Sequence, residues 1–187
     1  MNFEKTRLKF DTTKLITDYQ DFITKNEFVT DDKTLVDFNA ICINRKEGDE
    51  SSVTGGNVRG KYWTYPTDTS PEQERLEYVD EEAYNEICPE FVGTYTEQVY
   101  EECKKHYKLG RMRFLMKPPR SCLSWHRDPE RRLHIPIITN LGCRMVIENE
   151  AQYMSTEHVW ITDNTKYHNF FNGGEENRIH IVATIIE

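Results

Sequence analysis

Arg132-Leu133-His134-Ile135-Pro136-Ile137 is the stretch that decides the fold. Side chains of an extended segment point alternately to its two faces. Leu133, Ile135 and Ile137 therefore share one face, and Arg132 and His134 share the other. Arg178-Ile179-His180-Ile181 repeats the arrangement near the end of the chain. Two strands thus each carry an Arg-x-His pair on one face. In a barrel such faces either meet water or line an internal site. Burying an unpaired guanidinium is costly, so an inward orientation calls for an anion, and a dicarboxylate meets that demand.

Outward from this stretch, further short strands are predicted at Arg111–Met116, Leu133–Ile138, Arg144–Glu148, His158–Ile161 and Arg178–Ile186. They are separated by Lys117-Pro118-Pro119, Asn140-Leu141-Gly142 and Asn172-Gly173-Gly174. The first 110 residues read differently. Asp11 to Lys25 has helical periodicity, with Leu15, Ile16, Tyr19, Phe22 and Ile23 on one face and Asp11 or Thr12 as cap. Leu35 to Ile43 reads as a strand ending in a charged turn from Asn44 to Gly48, and Asp49 to Gly60 as a loop. Thr94-Tyr95-Thr96-Glu97 fits a capping box opening a helix with Tyr95, Val99, Cys103 and Tyr107 on one face, which Gly110 would end. Helices first and many short strands later predict a mainly β fold with flanking helices, a double-sheet jelly roll of the cupin kind. With 187 residues and no interdomain linker, one domain is expected, helical or mixed over about 1–110 and β over about 111–187.

His126-Arg127-Asp128 and the distant His168 offer two imidazoles and one carboxylate to a single metal. His126 and Asp128 are two apart and point the same way in an extended segment, while Arg127 points elsewhere. This is a 2-His-1-carboxylate facial triad, which leaves coordination positions open and suits non-haem Fe(II) oxygenases. Arg178, ten residues after His168, supplies a permanently charged fork for a carboxylate near that metal. Together they suggest Fe(II), 2-oxoglutarate and O2, with the keto acid chelating the metal, its distal carboxylate on Arg178, and succinate and CO2 released.

The stretch from His126 to Ile137, the segment Asp163-Asn164-Thr165-Lys166-Tyr167-His168-Asn169 and the strand Asn177-Arg178-Ile179-His180-Ile181-Val182 resemble linked motifs of the aspartyl/asparaginyl β-hydroxylase family. The resemblance spans roughly Arg111 to Val182. It implies a double-stranded β-helix, iron, and 2-oxoglutarate-dependent hydroxylation. It also implies that His126, Asp128 and His168 are ligands, that Arg178 binds the distal carboxylate, and that Arg132 and His134 help hold the cosubstrate. Animal aspartyl hydroxylases lack the carboxylate ligand. In having Asp128 this chain is similar to bacterial members, including free-proline hydroxylases. The implied substrate is an amino-acid side chain, either of an Asp/Asn type within a short peptide or of a free amino acid such as proline.

Other readings remain open on the residues alone: a cupin-type metalloenzyme needing no 2-oxoglutarate, or a non-catalytic β-barrel binding module. Trp63, Tyr65, Arg127 and Asn164 are candidate substrate contacts, with packing, a solvated rim or a turn as the plainer alternatives. Trp125 either supports the site from beneath or packs in the core. His180 reads as a hydrogen-bonded neighbour, and His106 and His158 as structural or exposed. Arg120, Arg127 and Arg131 either steer an anionic substrate or form a charged rim. A net charge of −8 argues against broad nucleic-acid binding. No apolar run follows Met1 to Lys5, so neither a signal peptide nor a membrane span is expected. Five widely spaced cysteines without C-x-x-C fit a reducing, intracellular (cytoplasmic) setting, each as a small buried apolar residue.

Overall fold

The alternation around Leu133 sets the layering of the molecule. A computed structural model describes residues 1–26, 39–56, 63–64, 74–75 and 78–187. Among these, ten strands form two sheets: β1 (Phe3–Lys5), β2 (Asn39–Cys42), β3 (Leu109–Lys117), β4 (Ser121–Cys122), β5 (Arg132–Ile138), β6 (Cys143–Ile147), β7 (Glu150–Gln152), β8 (Trp160–Thr162), β9 (His168–Asn172) and β10 (Arg178–Ile185). The larger sheet runs β1-β8-β5-β10-β3-β2 and the smaller β7-β6-β9-β4, all pairs antiparallel. The result is a mainly β jelly roll with helices on one side.

Leu133, Ile135 and Ile137 of β5 and Ile179, Ile181, Ala183 and Ile185 of β10 pack on the outer face of the large sheet. There they meet α1 (Thr12–Lys25) and α2 (Tyr95–Lys104). Leu15 and Phe22 of α1 and Val99, Tyr100 and Cys103 of α2 are buried in this core. Phe22, Phe91 and Phe114 run from helix to sheet with ring centroids 5.4 and 5.7 Å apart. Each fully buried Leu or Ile here contributes roughly 1.5–3 kcal/mol relative to exposure. Asp11 caps α1 by accepting from the N–H groups of Thr13 and Lys14. Thr94 caps α2 from Glu97 N–H, while the Glu97 carboxylate returns to Gly93 N–H, one residue before the cap. The opposite face of the large sheet looks inward, toward the small sheet. A second apolar cluster lies between the sheets, comprising Phe3, Cys143, Met145, Ile147, Met154, Trp160 and Phe170.

Several local expectations are corrected. Gly110 does not end a helix: α2 stops at Lys104, and Gly110 lies in β3. A Cβ there would come 2.5 Å from the Glu81 carboxylate, so the missing side chain makes room for a buried acid. Asn44 does not open the expected charged turn but lies in a two-residue strand, Asn44–Arg45, and is fully buried. It donates to the carbonyls of Tyr84 and Gly110 and accepts from Met112 N–H. Ile23 is 37% exposed and lies off the buried face of α1. Cys122 is exposed, unlike the other four cysteines. His158 lies outside β8, which begins at Trp160. The sequence pattern predicts no strand at β9, β1, β4 or β7, yet all four form. Residues 35–38 of the early predicted strand lie outside the described residues. Among the described residues, no helix is long and apolar enough to cross a membrane.

Candidate metal centre and its cationic interior

His126 and His168 are joined by their backbones. His126 N–H donates to His168 C=O at 3.1 Å, and His168 N–H returns to His126 C=O at 2.8 Å. This pair extends β9 by one rung and puts the two rings 4.2 Å apart. Asp128, two residues on, is pinned by its own N–H to Asn164 C=O at 2.7 Å. One potential ligand atom from each of His126, Asp128 and His168 lies within 4.8 Å of the others.

Neighbouring groups fix which atoms face inward. His126 Nδ1 lies 2.7 Å from Ser124 C=O, and His168 Nδ1 lies 3.0 Å from Lys166 C=O. A carbonyl only accepts, so both Nδ1 atoms carry the proton and both Nε2 atoms are left as bare acceptors. Asp128 Oδ2 accepts from Arg132 Nε at 3.0 Å and from Asn164 Nδ2 at 3.2 Å. Burial would raise the Asp128 carboxyl, but Arg132, the two histidines and the Asn164 hydrogen bond outweigh it and hold it at about 2. Burial lowers His168 as well, so its imidazole favours the neutral, metal-binding form. The same Asn164 amide donates to His168 Nε2 at 3.0 Å, and its carbonyl is fixed by Thr162 Oγ1 at 2.6 Å.

Deeper in the barrel the chemistry is cationic. Arg178 is 4% exposed and its guanidinium lies 3.9 Å from the Phe170 ring centroid. Its Nη2 donates to His180 Nδ1, and its Nε has no hydrogen-bond partner. Because a guanidinium only donates, His180 Nδ1 is bare and the proton sits on Nε2, which is also unpartnered. His134, 6% exposed, lacks a partner on either ring nitrogen. Burial pushes Arg178 down to about 9, and burial followed by Arg178 pushes both imidazoles well below 6.5. Both are neutral at pH 7, each with one N–H. The inward face thus presents three buried donors, on Arg178, His180 and His134, with no acceptor among the described residues.

The other candidates fall elsewhere. Arg132 is buried and engaged with Asp128, Thr184 and Glu130. Arg127 lies over the Tyr167 ring, outside the cluster. Trp63 pairs through its backbone with Arg75, and Tyr65 lies outside the described residues. Trp125 is 50% exposed, so it neither underlies the site nor packs in the core. Arg131 and Arg120 form exposed ion pairs with Glu187 and Glu175, and His106 an exposed one with Glu102. A buried ion pair of Arg111 with Glu81 escaped the sequence reading, because Glu81 sits in an acidic stretch that looks solvated. Arg113 escaped it too.

The fold and this constellation define a class: a cupin-like jelly roll with a His/Asp/His cluster at one end of its inward face. The sequence profile of the aspartyl/asparaginyl beta-hydroxylase family matches residues 72–187. The chain belongs to this family of hydroxylases. No curated protein sequence matches it. Among solved structures, AviO1 from Streptomyces viridochromogenes Tue57 shares 15% identity with a TM-score of 0.50, over 100% of this chain and 90% of that one. A 2OG-Fe(II) oxygenase family oxidoreductase from Burkholderia pseudomallei shares 12% identity, with a TM-score of 0.45 over 54% of this chain and 60% of that one. A cupin domain from Bordetella pertussis shares 14% identity, with a TM-score of 0.36 over 41% and 81%.

Proposed function

We propose that this chain is an Fe(II)- and 2-oxoglutarate-dependent dioxygenase that hydroxylates an amino-acid side chain, of a free amino acid or of an Asp/Asn-type residue in a short peptide. The observation that carries the reading is the set of buried, unfilled donors on Arg178, His180 and His134 beside a His/Asp/His cluster. Leaving such donors unpaired costs on the order of 1–3 kcal/mol each, more for the charged one. An acceptor-rich anion removes that cost. A cupin enzyme without a keto acid, or a plain binding barrel, leaves these donors unexplained.

The donor set fits the metal: two imidazole nitrogens and one carboxylate suit Fe(II) and leave positions open. When bound, iron and 2-oxoglutarate supply the oxidising chemistry that uses O2 and releases succinate and CO2. The residues of the chain hold and shield. His126 and His168 present Nε2 because their Nδ1 protons are committed to backbone carbonyls. Arg132 keeps Asp128 ionised and aimed. Asn164 bridges Asp128 and His168 through one amide nitrogen and would keep Asp128 oriented with a metal held by the cluster. Arg178 receives the distal carboxylate, with the Phe170 ring setting the plane of its guanidinium.

Anaerobic titration with Fe(II) and then 2-oxoglutarate tests this. A visible metal-to-ligand charge-transfer band is expected in the wild type, and none in His126→Ala. Arg178→Ala should bind Fe(II) while 2-oxoglutarate affinity collapses. Normal 2-oxoglutarate affinity in that variant refutes the assignment, and tight metal binding with no band in the wild type refutes the function.

A further inference from the structure

Four arginines point into the barrel from the large sheet: Arg111 and Arg113 from β3, Arg132 from β5 and Arg178 from β10. In β3, Met112 and Phe114 face the helices, so Arg111 and Arg113 face inward. Two of the four are neutralised. Arg111 is clasped by Glu81 at 2.6 Å and also donates to Gly56 C=O. Arg132 is held by Asp128 and Glu130. Arg178 and Arg113 have no carboxylate partner among the described residues. The Nε of Arg113 is shut off from solvent without a hydrogen-bond partner, while the residue as a whole keeps partial exposure. The guanidinium is thus buried at Nε while the side chain keeps contact with solvent.

The two unpaired arginines stand at different levels. Register places Arg178 opposite Lys117, and Arg113 opposite Val182, which in turn faces His134. Four residues along β10 separate these rows, roughly 13 Å at about 3.3 Å per residue. The next inward-facing row along β10 is Thr184 opposite Arg132, the arginine that holds Asp128. Arg113 therefore belongs to the metal end of the barrel, whereas Arg178 lies at the far end. One cosubstrate whose distal carboxylate is on Arg178 leaves the charge at Arg113 unanswered.

We propose that Arg113 recognises a carboxylate of the primary substrate, so that the substrate enters the site as an anion beside the metal. The inference rests on the hydroxylase reading and assigns the half of the site that reading leaves open. A carboxylate can come from two sources, the α-carboxylate of a free amino acid or the side chain of an acidic residue in a peptide. Either would dock on the same fork, ideally by two parallel hydrogen bonds.

The experiment uses the full chain loaded anaerobically with Fe(II) and 2-oxoglutarate, reading the perturbation of the charge-transfer band by added probes. The probes are the common free amino acids, the carboxamide of each, and short peptides blocked at both ends that contain Asp or Asn. Wild type should respond to free acids and not to their carboxamides if the α-carboxylate is read. It should respond to Asp peptides and not to Asn peptides if the side chain is read. Arg113→Gln should keep the 2-oxoglutarate band yet lose probe affinity on the order of 30-fold or more, the loss expected when one partner of a buried charge pair is removed. Arg113→Lys, which keeps the charge, should recover part of it. Equal response to acids and amides, unchanged probe affinity in Arg113→Gln, or no response to any carboxylate probe each overturns the proposal. Loss of the band in the wild type instead strikes the hydroxylase reading itself, so the two failures are distinguishable.

Discussion

The two faces of β5 and β10 are built from the same residues in alternation, yet they obey opposite rules. The outward face, with Leu133, Ile135, Ile181 and Ala183, is apolar, close-packed against α1 and α2, and closed. The inward face, with Arg132, His134, Arg178 and His180, is as deeply buried but polar and incompletely satisfied. One face lowers the free energy of the fold. The other keeps unpaired donors that a stability-optimised interior would lack. The fold's stability and its chemistry are thus separated by the thickness of a strand.

This contrast can be broken from either side. The largest effect should come from His126→Ala, which removes a candidate ligand and is expected to abolish Fe(II) binding in calorimetric titration with little change in melting temperature. Leu133→Ala on the outward face should do the reverse. It should cost about 3–5 kcal/mol of stability in denaturant unfolding and still give the charge-transfer band below its melting point. Arg132→Leu, which takes the orienting guanidinium from Asp128, should weaken Fe(II) binding by about 10- to 100-fold, read in the same titration.

A pH prediction follows from His134 and His180. Both are held neutral well below their ordinary value of 6.5, first by burial and then by Arg178. Their folded values are depressed, so the unfolded chain binds more protons below pH 6.5. Stability is full above that pH and falls as pH drops toward the folded values, by about 1.4 kcal/mol per pH unit for each histidine. Thermal melts of the metal-free protein between pH 7 and 5 check this, and replacing His180 with Asn should reduce the slope. The smallest expected effect is a gain: Arg178→Leu should raise stability by about 1 kcal/mol, because an unpaired buried charge leaves the interior. A loss of stability would mean that the His180 hydrogen bond and the Phe170 contact outweigh the cost of the buried charge.

Alternation made the architecture readable where one face is uniformly apolar, as at Leu133-x-Ile135-x-Ile137. It failed at β9, where His168, Phe170 and Asn172 face inward together and mix ring, phenyl and amide. The i, i+2 spacing put His126 and Asp128 on one side, the family resemblance implied that His168 joins them, and the fold brings the three together. Partnerships across the chain carried none. The Glu81–Arg111 pair joins residues 30 apart, and its helper Gly110 looked like a helix stop. The unpaired state of Arg113 was equally hidden, because a lack of neighbours is a property of the folded chain. Trp125 misled for a related reason, as standing beside a candidate ligand in sequence does not fix which way a ring turns.

The reciprocal bridge between His126 and His168 bears on how this site can change over generations. Main-chain atoms set the spacing of the two imidazoles, and no side-chain substitution redraws a peptide ladder. Asp128 is different, since its carboxylate is aimed by the replaceable side chains of Arg132 and Asn164. Substitution can therefore re-aim the Asp128 carboxylate without moving the two imidazole positions, and variation in the candidate centre should begin at Arg132 and Asn164.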